Sequence, residues 1–246
     1  MKILTQNLTE VHFRNPETED SPNLNDPVIY LIHTDSYSDH DVSLFKKLLT
    51  SQELQNASRF RLSQDRSSYI ITHAKLRLIL GDYLDEDPVE IEFNLNEFGK
   101  PSLTENKIHF NISHRGGLSA LAFSFSSEIG IDVEKIDPDF NVDQISKAFF
   151  SRDENRYLND FPFGPNKKFY MLWTRKEAFL KALGTGIAEC PGVEVFRRAN
   201  DFNPKIPIPG IGDRDYFLYT FEYQDHYMIT TAQNSPSSPS ICWNEL

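Results

Sequence analysis

The 246-residue chain carries 36 acidic against 25 basic side chains, a formal net charge of −11. That balance argues against broad capture of nucleic acid, which depends on lysine and arginine neutralising phosphates, while the length leaves room for one large core or two modest ones. Two distant cysteines, Cys190 and Cys242, read as reduced thiols, and with neither a signal-peptide core nor an apolar run near the ~20 residues of a membrane span, the expectation is a cytoplasmic protein without membrane contact.

In chain order, VIYLI over residues 28–32 reads as a buried strand and SLFKKLL over 43–49 as a helix. SQELQNASRFRL opens another helical stretch. From Asp65 to Leu80, the apolar residues Ile70, Ala74, Leu76, Leu78 and Ile79 fit a mostly buried helix, with Gly81 placed to end it in a left-handed cap. VEIEFNL (89–95) is predicted to be a strand and NEFGKPSLTENK (96–107) a turn region. IHFNIS and LSALAFSF, separated by His114, Arg115, Gly116 and Gly117, are predicted to pair as a hairpin, and EIGIDVE follows as a short strand.

The second half repeats this order. Helical stretches are expected over VDQISKAFF, SRDENRYL and KKFYMLWTRKEAFLKAL, a strand at VEVF, and a hairpin from YFLYTFEY and HYMITTA, before a flexible polar tail at NSPSSPSI. Helix followed by antiparallel strands in each half indicates an α+β duplication joined near residues 126–136. Lys167, Lys168, Arg175 and Lys176 form a candidate basic patch for an acidic partner, which reads equally as an ordinary solvated face.

Three motifs carry chemistry. In GIDVE (130–134), strand alternation sends Ile129, Ile131 and Val133 to one face and Asp132 and Glu134 to the other, their carboxylates about 6–7 Å apart along the chain. Such a pair suits magnesium, which takes carboxylate and water oxygens and completes its shell with substrate phosphates; it is also what the wet face of an edge strand looks like. In WTRKEAFLKALG (173–184), Trp173, Glu177 and Lys181 recur every four residues and share a helical stripe beside the core stripe of Phe169, Leu172, Phe179 and Leu183; the bland alternative is an interfacial tryptophan with a helix-surface ion pair. In FNISH (110–114), Asn111 and Ser113 face one way and Phe110 and Ile112 the other; His114 could donate to a phosphate, and no triad partner marks Ser113 as a nucleophile.

Taken together, GKP (99–101), FNISH, GIDVE, FFSRDE (149–154) and WTRKEAFLKALG resemble, in order and separation, the 4′-phosphopantetheinyl transferase superfamily in its double-length, surfactin-synthetase-activating type. The resemblance covers about residues 28–232. It implies a monomer with a pseudo-two-fold pair of α+β halves: residues 1–128, binding coenzyme A, and 129–246, carrying the metal and catalytic groups, with the active site in the cleft between them. It implies transfer of phosphopantetheine from coenzyme A to a serine of an apo acyl or peptidyl carrier protein, with 3′,5′-ADP released and magnesium, or manganese in its place, as the metal. By position, Asp132, Glu134 and Glu177 match metal ligands, Glu177 also a candidate base, Glu154 a further acid near the metal and Lys181 a phosphate contact. Lys100, Ser113 and His114 match residues that hold coenzyme A, and Trp173 a largely structural position. The sequence departs from the pattern at Ser68, where many relatives carry an arginine for the 3′-phosphate, leaving Arg66 or another base to substitute. A metal-dependent phosphohydrolase and a non-catalytic coenzyme A-binding protein are the alternatives, both disfavoured by the full set of acids together with Lys181.

Overall fold

A computed structural model describes residues 12–14, 26–105, 108–159, 165–188, 193–195, 205–209 and 215–243. The first half grows around β2 (Val28–His33), flanked on both edges by strands, which explains its nearly continuous apolar run. Two short helices follow, α1 (Asp39–Phe45) and α2 (Ser51–Ser58). Each opens on a capping box, Ser38 with Asp41 and Thr50 with Glu53, in which side chains satisfy the free N–H groups of the first turn.

The long helix α3 (Ser63–Leu84) lays Ile70, Ile71, Ala74, Ile79 and Leu80 into the first core. It runs past Gly81, the expected cap, and ends at Asp85, whose φ of 54° closes it instead. Gly81 is required for a different reason: a Cβ there would stand 2.9 Å from both the Glu86 carbonyl oxygen and Pro88 Cγ. Of the strand expected over 89–95, only β3 (Phe93–Leu95) forms, paired with β4 (Pro101–Leu103). The hairpin of β5 (His109–Arg115) and β6 (Leu118–Ser124) turns through Gly116 and Gly117, both at positive φ as a two-residue hairpin loop demands.

The second half contains β7 (Ile129–Lys135), α4 (Asp143–Phe149), α5 (Arg152–Asn159), α6 (Pro165–Leu183), β8 (Lys205–Pro209), β9 (Asp215–Tyr223) and β10 (Tyr227–Gln233). The described residues 193–195 are not in a strand, unlike the expected VEVF.

Sheet topology establishes the duplication. β2 pairs antiparallel with β6, and β6 with β5; β7 pairs antiparallel with β10, and β10 with β9. The long helix of each half is fastened to the middle strand by the same polar contact, Thr72 Oγ1 to Ser119 Oγ at 2.6 Å and Thr174 Oγ1 to Thr230 Oγ1 at 2.9 Å.

The expected boundary at 128/129 falls between β6 and β7, but the chain crosses back. β11 (Ser240–Trp243) inserts between β1 (His12–Arg14) and β2, parallel to both, with Ile241 and Cys242 buried. The end of the segment expected to be a flexible tail is therefore a sheet strand. Among the described residues no helix is long and apolar enough to cross a membrane.

The two sheets meet at β5 and β7 without sharing a backbone ladder. Asn111 Oδ1 accepts from the Ile131 N–H at 2.9 Å and Ser113 Oγ from the Val133 N–H at 3.2 Å, so two side chains of FNISH stand in for missing strand–strand bonds.

Candidate active site

Strand β7 presents Gly130, Asp132 and Glu134 to helix α6 while Ile129, Ile131 and Val133 enter the core between the sheets. Gly130 decides how close the helix can come. A Cβ there would overlap the Ala178 carbonyl oxygen and the Ala182 nitrogen, so only glycine lets α6 press onto the strand at this level. The Trp173, Glu177, Lys181 stripe is thereby laid beside Asp132 and Glu134, and Ile112, Ser113, His114 and Arg115 of β5 complete a cavity of about 340 Å³.

Within it, Lys181 Nζ lies 2.7 Å from Asp132 Oδ1 and 3.0 Å from Ser113 Oγ. The Ser113 hydroxyl donates to Asp132 Oδ1 at 2.9 Å while accepting from Lys181 and from Val133 N–H. Its single donor and both lone pairs are committed, so it orients Asp132. Asp132 is 5% exposed, and its other oxygen, Oδ2, is buried without a hydrogen-bond partner.

Glu134 is paired with Arg115 at 3.1 Å and takes a bond from the Trp173 side chain. Even so, burial and the Asp132 charge push its pKa up to about 7. Burial and the same charge also raise Glu177. Two of the pocket's three carboxylates are thus held above their ordinary range, first by burial and then by the Asp132 charge.

Among the described residues no group of three or more His, Cys, Asp or Glu side chains is placed to hold a metal ion as it stands. The chemistry of these donors nevertheless suits a hard divalent cation: an orphaned carboxylate oxygen on Asp132, two further carboxylates each repelled by Asp132, and open cavity for water and phosphate oxygens.

A second cavity of about 570 Å³ shares Arg115, Glu134 and Trp173 with the first and continues along Ile136, Phe140, Ile145, Phe169 and Tyr170. Arg115 escaped the sequence reading. Its only signal was its place immediately after His114 at the hairpin turn.

Several expected site residues lie elsewhere. Glu154 is 1% exposed on α5 and pairs with buried Lys176 at 3.0 Å, accepting also from the N–H groups of Ser151 and Val195. It braces helix packing and does not reach the pocket. Arg66 donates to the Phe60 carbonyl at 3.0 Å and is not part of the cavity wall. Ser68 is buried and accepts from Thr34 Oγ1 at 3.2 Å. Lys100 is bonded to Glu128, Ile129 and Ala182. The candidate basic patch dissolves: Lys168, Arg175 and Lys176 are all buried, donating to the Tyr157 carbonyl, Thr220 and Glu154, while Lys167 pairs with Glu222.

The comparisons with known proteins point to one family. Residues 128–232 match the 4′-phosphopantetheinyl transferase superfamily, and residues 36–126 match the family described as 4′-phosphopantetheinyl transferase, N-terminal. The chain is 36% identical over 152 residues to the 4′-phosphopantetheinyl transferase HetI of Nostoc sp. strain PCC 7120, covering 60% of this chain and 64% of that relative. It therefore spans somewhat under two thirds of the Nostoc protein's length. A 4′-phosphopantetheinyl transferase of Bacillus subtilis is 30% identical over 190 residues, 76% of this chain and 83% of the relative. The 4′-phosphopantetheinyl transferase Sfp of Bacillus subtilis strain 168 is 28% identical over 214 residues, 86% of this chain and 94% of the relative. With both halves matched, and with the duplicated α+β topology on which the acidic pocket is built, this chain belongs to the 4′-phosphopantetheinyl transferase superfamily.

Proposed function

We propose that the protein transfers the 4′-phosphopantetheine arm of coenzyme A to a serine hydroxyl of an apo acyl or peptidyl carrier protein. The observation that carries this reading is the convergence of Asp132, Glu134, Glu177 and Lys181 in one cavity walled by β5 of the first half and by β7 and α6 of the second. Asp132, Glu134 and Glu177 would hold magnesium, or manganese in its place. Bound there, the ion would offset charge on the coenzyme A pyrophosphate.

The rest falls to the chain's own side chains. Lys181 and His114, with Arg115 at the rim, face the space where phosphates would lie and can donate to their oxygens. The carrier serine oxygen forms a bond to the β-phosphorus as the bond from that phosphorus to the bridging oxygen breaks, and 3′,5′-ADP leaves with an added negative charge. Glu177, on the α6 wall of the cavity, takes the serine proton directly or through water. Lys181 and Arg115 meet the charge left on ADP. Both walls of the cavity come from one chain, which supports action as a monomer, and we place that action in the cytoplasm.

Intact mass spectrometry of an apo-carrier incubated with the protein, coenzyme A and magnesium tests the reading. The expected result is a gain of one phosphopantetheine, abolished by EDTA and by Asp132→Ala. No gain on several unrelated apo-carriers, or consumption of coenzyme A without any acceptor, would overturn it.

A further inference from the structure

Helix α6 closes where Gly184 adopts a φ of +71°. The Gly184 N–H returns to the Lys181 carbonyl at 3.2 Å and the Thr185 N–H to the Leu180 carbonyl at 3.0 Å, the paired bonds of a Schellman closure. The carbonyls of Ala182 and Gly184 lie outside that closure and need donors from elsewhere.

Both donors come from the other half, out of the turn ahead of β4. Lys100 Nζ donates to the Ala182 carbonyl at 3.0 Å and Asn96 Nδ2 to the Gly184 carbonyl at 2.8 Å. The turn is stiffened internally, because Asn96 Oδ1 accepts from the N–H groups of Phe98 and Lys100. Lys100 also reaches Glu128 Oε2 at 3.2 Å and the Ile129 carbonyl at 3.4 Å, while His109 steadies Glu128 from its other oxygen at 3.2 Å.

An ammonium has three N–H donors, and here each has an acceptor. The side chain is 15% exposed, so a phosphate could take one donor only by displacing a bond already made. The acceptors sit where they matter for the pocket. Ala182 follows Lys181 directly, and Ile129 lies three residues before Asp132 on the same strand. A cation at the C-terminal end of α6 is also favoured by the helix dipole.

We propose that Lys100 is a positioning residue, a clamp from the first half that pins the last turn of α6 to the start of β7 and so sets Lys181 against Asp132. Its catalytic consequence rests on the transferase reading. The clamp itself does not.

The test uses Lys100→Met, Lys100→Arg and Asn96→Ala in the full chain. It combines calorimetric coenzyme A affinity, steady-state transfer to an apo-carrier, and hydrogen exchange at the Gly184 and Thr185 amides. The clamp predicts that Lys100→Met lowers kcat about tenfold or more, weakens coenzyme A affinity by a clearly smaller factor through the displaced Lys181, and speeds exchange at both amides. Lys100→Arg should recover part of each effect, and Asn96→Ala should speed the same amides.

A tenfold loss of coenzyme A affinity with unchanged exchange would make Lys100 a nucleotide ligand and overturn the clamp; so would no change in either. If Lys100→Met fails to fold, the arginine and Asn96 variants decide by the same readouts. Wild-type protein that transfers nothing would sink the transferase reading alone, leaving exchange at the two amides to judge the clamp.

Discussion

Lys181 Nζ stands 2.7 Å from Asp132 Oδ1, so an ammonium neutralises one oxygen of a carboxylate whose other oxygen has no partner. The two residues come from different elements, and each depends on the other for charge balance. Asp132→Asn should lower phosphopantetheine transfer by about 10²-fold or more, and Lys181→Met by a similar order, since the first removes a proposed metal ligand and the second a cation aimed at pyrophosphate charge. Calorimetric titration with manganese separates them: Asp132→Asn should weaken metal binding, whereas Lys181→Met should not. Equal metal affinity in wild type and Asp132→Asn would remove Asp132 from the ligand set.

Gly130→Ala tests the helix–strand approach. A methyl group has to displace the Ala178 carbonyl or move the whole helix, so overpacking should cost roughly 1–3 kcal/mol of stability. Because the displaced helix carries Glu177 and Lys181, transfer activity at 20 °C should fall far more than the folded fraction does. Thermal unfolding and turnover on the same sample give both numbers, and an alanine variant with wild-type turnover would show that the site tolerates a wider gap.

Two glutamates should separate by phenotype. Glu154→Gln leaves Lys176 charged, buried and deprived of its carboxylate, a loss of about 3–5 kcal/mol. Its effect should appear in urea unfolding. Glu177→Gln, in the half-exposed pocket wall, should abolish most turnover with a much smaller change in unfolding midpoint. Reversal of that pattern would return Glu154 to the chemistry.

Glu53 ties α2 to α3 through Arg77, at 3.0 Å, with Thr50 and His73 as further partners. Burial raises its pKa, but hydrogen bonds from His73, the Thr50 backbone and Arg77 outweigh burial and hold it at about 2, against 4.5 for the free side chain. A carboxylate lowered on folding contributes stability that is complete above about pH 4.5 and drains away as pH falls towards 2. Denaturant midpoints across that window should fall for the wild type and fall less steeply for Glu53→Gln. Parallel slopes would rule out Glu53 as a source of acid sensitivity.

Much of the candidate pocket's lining was legible before folding because its geometry follows local periodicity. Alternation along 129–134 put Asp132 and Glu134 on one face, and the four-residue repeat put Trp173, Glu177 and Lys181 on one stripe; the cavity wall contains all five. Arg115 could not be singled out in this way, since its role comes from the neighbouring strand. Glu154 and the basic run around Lys168 misled because charged residues carry no mark in sequence that says they will be buried and paired. The tail was misread for a related reason: β-pairing of Ile241 and Cys242 depends on an open edge of β2, far away along the chain.

The sequence by itself determined most of the elements and the faces they present, because helical and strand periodicity act over a few residues, and it repeated that order in each half. Tertiary structure decided which faces meet. Gly130 sets the distance between α6 and β7, Asn111 and Ser113 join the sheets, and Lys100 holds the end of the helix from the opposite half. These contacts form only when distant segments are brought together and their buried polar groups must find partners, a demand that water meets in the unfolded chain.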